Sequence, residues 1–170
     1  LSAFPFIHQD WDWSGFRIMG VLQRIALAYG CAAFLVLVLN RNQIIKASGI
    51  ILLAYWFFLW VFGWINGVDP YGLEFNLPRM VDLAIMGDSH LYGGAGIPFD
   101  PEGLLSTIPA VVTVLIGYLT GTIIQEKKDG MERVKYIFKV GAVIVVVGWL
   151  WGFLFPVNKQ LWTSSYVLYT

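Results

Sequence analysis

Four stretches of this chain are long and apolar enough to cross a bilayer, and no other feature limits its possible folds so strongly. They run over about 18–40, 47–66, 104–125 and 140–157, and the second and third carry no charged residue. Crossing the hydrocarbon core takes about 20 apolar residues in a helix. Lipid offers no partners to backbone N–H and C=O groups, so each span must satisfy its own by coiling. None shows the period-two alternation of a barrel strand. The expected fold is all-α and polytopic, with four spans, the start of a fifth helix near Leu161, and a long outer loop with helical content. Composition agrees: 58% of residues are hydrophobic and 13% charged, against roughly 25% charged in soluble domains. The chain opens at Leu1 without Met and stops inside an apolar segment, so it reads as one membrane domain cut from a longer polytopic protein.

The connections orient the spans. The inner loops at 41–46 and 126–139 hold Arg41, Lys46, Lys127, Lys128, Arg133, Lys135 and Lys139, seven of the eleven basic residues. By the positive-inside rule this end faces the cytoplasm. The other end holds the N-terminal stretch, the outer loop 67–103 and the Asn158–Lys159 turn. It carries Asp10, Asp12, Asp69, Glu74, Asp82, Asp88, Asp100 and Glu102, eight of the eleven acids. A formal net charge of zero gives no case for nucleic acid as a partner. The lipid bilayer is the expected surroundings. Gly117 and Gly121 form a small-xxx-small pair suited to close helix packing, and Pro109 should kink or loosen the third span.

Three places do not fit a plain scaffold. In the opening of the first span, Arg17 can reach the interface, while Arg24 lies seven residues deeper, about 10 Å along a helix. A charge at that depth needs a cavity or a partner; a side chain reaching the headgroups is the structural alternative. The outer loop is too long for a mere connection. Its residues Phe75, Leu77, Met80, Val81, Leu83, Ile85 and Met86 suit a short amphipathic helix lying on the membrane. It then brings Asp88, His90, Asp100 and Glu102 within fifteen residues. Histidine titrates near neutrality and carboxylates can orient it or take a proton. Asp100 also suits the N-cap of the third span, with Pro101 at its first position. His90 can equally be an ordinary loop histidine. The third place, Pro156 to Tyr166, puts Asn158, Lys159, Trp162 and Ser164 around a helix start, which suits a sugar or an anionic group. A capped interhelical turn is the plainer reading of the same residues.

These segments, RIMGVLQRIA at 17–26, GDSHLYGG at 87–94 with FDPEGLLSTI at 99–108, and PVNKQLWTSSYVL at 156–168, resemble in order and spacing the heparan-α-glucosaminide N-acetyltransferase family and its bacterial relatives. The resemblance implies a multi-span membrane acyltransferase that takes acetyl from cytosolic acetyl-CoA to the amine of an amino sugar on the opposite side. It implies acetyl-CoA as co-substrate, with no tightly bound cofactor. It points to Arg24 and Arg17 as its ligands, to His90 and Glu102 as proton acceptors with Asp88 orienting His90, and to Asn158, Lys159, Trp162 and Ser164 around the sugar. The histidine usually assigned to transfer in this family lies in an earlier membrane segment, and His8 does not match that context. The implied compartment is a bacterial inner membrane with 67–103 on the periplasmic side. A homodimer is compatible with it.

A sugar or sugar–lipid transporter is the second reading, since an intramembrane arginine and a kinked span suit that too. An assembly subunit is the third. No metal motif is expected from two histidines and the single Cys31.

Overall fold

The computed structural model describes residues 13–126 and 129–170. Among the described residues the fold is all-helical, 71% helix, with six α-helices. They are α1 (Val21–Val38), α2 (Arg41–Asn66), α3 (Leu77–Met86), α4 (Leu104–Glu126), α5 (Gly130–Trp151) and α6 (Ser164–Tyr169). Helices α1, α2, α4 and α5 are each long and apolar enough to span a membrane. The chain is thus a multi-pass integral membrane protein. His8, Asp10, Asp12, Lys127 and Lys128 lie outside the described residues.

Helix α2 begins at Arg41, so residues 41–46 are helix rather than loop. Asn40 caps Gln43 N, and the Gln43 side chain returns to Asn40 N, a reciprocal box that starts the helix directly after α1. Helix α5 begins at Gly130 because Asp129 accepts from Met131 N and Glu132 N. It ends at Trp151, and Phe155 beyond it turns into the core, fully buried. Both helices therefore run past the apolar stretch at their basic ends. Arg41 donates to Glu126 at 2.8 Å, which places the start of α2 beside the end of α4 at what we term the basic end. The acidic loops lie at the other.

The packing seam of α1 is a row four residues apart, Arg24, Ala28 and Ala32, each buried. Ala28 and Ala32 meet Ile44, Ala110, Val111 and Leu115 in one core cluster. Small side chains let the backbones approach, which is how membrane helices gain packing contacts. The pair expected to do this does not: Gly117 is exposed, and a Cβ at Gly117 or Gly121 would meet nothing within 4 Å. Gly148 does perform it, since a Cβ there would lie 2.6 Å from Tyr169 N, where α6 crosses α5.

The outer loop contains α3, whose buried face includes only some of the expected apolar residues, Met86 with Leu77 and Leu83 packed beside the core. Pro78, Asp82 and Met86 are buried, whereas Met80 and Ile85 are exposed. The helix packs against α4 and α2 by a stripe centred on an acid. Helix α4 runs continuously through Pro109.

Candidate functional site

Asp82 begins the site. Its Oδ1 accepts from Leu104 N at 2.9 Å, so α4 is capped by a side chain from α3. This corrects the expectation for Asp100: α4 starts three residues after Pro101, too far for Asp100 to cap it. A Cβ at Gly103 would overlap Asp82 Oδ2, so only glycine allows this approach. Asp82 is fully buried, and Oδ2 has no protein partner among the described residues. Burial disfavours the charged form and lifts the carboxyl from 3.8 to about 6, with Leu104 N pulling it back and Asp100 pushing it up.

Asp100 instead holds the loop. It accepts from Glu102 N at 3.0 Å in a local turn. It also takes a two-pronged contact from Arg17, Nε to Oδ2 at 2.9 Å and Nη2 to Oδ1 at 2.7 Å. Arg17 Nη2 reaches Glu102 Oε2 at 2.6 Å as well, and the guanidinium stacks 4.7 Å from the Tyr92 ring centroid. Charge-assisted pairs of this shape are strong and directional. The hydrogen bond that Arg17 donates to Asp100 is the main cause holding its guanidinium above the ordinary pKa.

His90 lies on the same strand of contacts. Its Nδ1 is 2.8 Å from Phe16 O. A carbonyl only accepts, so Nδ1 carries a proton, and in a neutral ring the lone pair lies on Nε2. Ile18 N donates to His90 O at 3.3 Å. His90 and Glu102 are therefore both fastened to residues 16–18. The orienting group on His90 is the Phe16 carbonyl, not Asp88, which is exposed.

Arg24 joins the first segment to the other two. It is 6% exposed. Nη1 donates to Pro101 O at 3.0 Å and Nη2 to Ser106 O at 2.8 Å. Pro109 has no N–H for the carbonyl four residues before it, which loosens this first turn of α4 beside the carbonyl that Arg24 takes. Over the guanidinium lies Trp162, 3.9 Å to the ring centroid, with Trp162 Nε1 donating to Thr113 Oγ1 at 3.3 Å. Trp162 has φ 50°, a left-handed conformation that costs a bulky residue about 1–2 kcal/mol. Holding the indole over Arg24 offsets that strain.

The remaining third-segment residues serve the turn. Asn158 Oδ1 accepts from Gln160 N and Leu161 N, and Ser164 Oγ donates to Leu52 O at 2.7 Å. Thr163 caps α6 through Tyr166 N. Lys159 is exposed. Thus Arg17, Arg24, Glu102 and Trp162 converge, and His90 adjoins them. Asn158 and Ser164 are structural ties. Both arginines sit at the acidic end and donate to protein groups, with Arg24 Nε left without a partner among the described residues. Asp82 and Tyr92 were not among the expected site residues. The signal for Asp82 was a lone acid in an apolar run, four residues from both Pro78 and Met86.

No family model matches the chain. The heparan-alpha-glucosaminide N-acetyltransferase of Mus musculus is 31% identical over 103 residues, covering 51% of this chain and 16% of the relative. That of Homo sapiens is 30% identical over 103 residues, covering 51% and 15%. The matched stretch is about a sixth of each relative's length. Over half of its length, then, the chain is related at the family level to the heparan-alpha-glucosaminide N-acetyltransferases.

Proposed function

We propose that this chain forms the acceptor-side part of an integral membrane N-acetyltransferase, which carries acetyl from cytoplasmic acetyl-CoA to the amine of an amino sugar on the opposite face. The acidic end would be the periplasmic side of a bacterial inner membrane. One observation supports this beyond kinship: the segments that resemble the family meet through Arg17 and Arg24.

In the reaction the amine nitrogen attacks the thioester carbonyl, the carbon–sulfur bond breaks, and the thiol leaves. The nitrogen sheds a proton as it attacks. His90 Nε2 is the acceptor we assign, with Phe16 O fixing the ring. Glu102, held by Arg17, is placed to bind the ammonium form of the sugar and to pass on the proton. Arg17 and Arg24 then act as positioning residues. Acetyl-CoA stays a co-substrate, approaching from the basic end. Trp162 and exposed Lys159 are the third-segment residues left to meet the sugar.

Membranes containing the protein test this by release of CoA thiol with and without glucosamine. Release should require glucosamine, and His90→Ala or Glu102→Gln should lower it on the order of 100-fold at unchanged protein level. Wild-type turnover in both variants would refute the assignment. Counterflow of labelled glucosamine without CoA would favour a transporter instead.

A further inference from the structure

A cavity of about 510 Å³ lies between α2, α4, α5 and α6, running from Arg41 at the basic end to Leu52 and Val112, which pack against Trp162 of the site above. That is within the range of small-molecule sites. Leu53, Ile116 and Ile144 are typical of its walls, with Ser48 and Tyr136 among them and Arg41 at one end. Apolar cavities do not hold water well, and the solvent around a membrane helix is acyl chain.

Two observations mark the occupant. Ser48 is 8% exposed, and its Oγ has no protein partner among the described residues although it lines the cavity. A buried hydroxyl without a partner calls for an acceptor from elsewhere, and an ester oxygen supplies one. Arg41 is the charged residue in the lining, in an exposed pair with Glu126, and further basic residues lie at the same end of the bundle. Among the described residues the basic end carries Arg41, Lys46, Arg133, Lys135 and Lys139 against Glu126, Asp129 and Glu132. Arg133 precedes Tyr136 by three positions, on the same face of α5. A cationic rim near a membrane surface attracts anionic headgroups by about 1 kcal/mol per Lys or Arg.

We propose that this cavity is a binding site for an anionic phospholipid, with an acyl chain among α2, α4 and α5 and its phosphate at Arg41. It is independent of the acetyl-transfer reading.

Native mass spectrometry of the protein released from nanodiscs of mixed phosphatidylglycerol and phosphatidylcholine provides the test. The wild type should retain one phosphatidylglycerol, favoured about tenfold over phosphatidylcholine. Arg41→Ala should remove most of that preference, since its exposed pair with Glu126 adds little to stability. Gly49 lines the cavity, and a Cβ there meets nothing within 4 Å. Gly49→Leu should therefore fill the space and abolish retention while leaving the melting temperature unchanged or raised. Equal retention of both lipids, unchanged retention in both variants, or retention of added CoA in place of phosphatidylglycerol would each overturn the proposal.

Discussion

Arg24 shows how a membrane protein keeps a charge inside. The guanidinium has two carbonyls and an indole face around it rather than a carboxylate in direct contact. The planar fork matters as much as the charge. Arg24→Lys should then fail to rescue Arg24→Ala, each losing on the order of 1–3 kcal/mol by thermal melting in detergent; a lysine that melts like wild type would contradict this. Asp82 makes a pH prediction. Its carboxyl titrates near 3.8 unfolded and near 6 folded. Between those values the folded state holds the extra proton, so stability falls as pH rises through this window and levels off above it. The fall should be on the order of 3 kcal/mol and should vanish in Asp82→Asn, which keeps the acceptor for Leu104 N. Equal slopes for variant and wild type from about pH 4 to 6.5 would show that Asp82 does not carry the effect.

At the scale of elements, the contact between α1 and α4 depends on small residues in one row. Ala28→Leu or Ala32→Leu should overpack it and cost about 1–3 kcal/mol, whereas Gly117→Leu, with open space at its Cβ, should change stability by less than about 0.5 kcal/mol. Melting of the three variants checks the ranking. The coupling of α3 to α4 has its own test. Gly103→Ala should be severe alone and milder when Asp82→Ala removes the carboxylate it strikes, so the two costs sum to more than that of the double variant in a double-mutant cycle. The spans were legible because lipid leaves backbone groups one solution. Their ends were not: Asn40 and Asp129 cap helices before the apolar stretches begin. The packing face was not legible either, since AxxxA in α1 and GxxxG in α4 look equally suited, and only the partner's shape decides. The capping of α4 by Asp82 joins residues 22 apart, beyond any local spacing rule.

At the scale of the molecule, the chain reads as alternating spans with a basic and an acidic end. Of the site, the three segments were visible as places where charge and polarity break an apolar pattern. Their convergence was not, because Arg17 reaches Glu102 across 85 residues. Nor could sequence tell that Ser164 and Asn158 were tied into the turn. All functional reasoning needs Asp82, His90 and Glu102 to lie across the barrier from Arg41 and Arg133. Accessibility to a membrane-impermeant thiol reagent tests this in oriented vesicles, with Cys31 replaced by Ser and single cysteines placed at the exposed positions Ser89 and Glu132. The account predicts labelling of one from outside and of the other only after the vesicles are opened; labelling of both from the same side would contradict it.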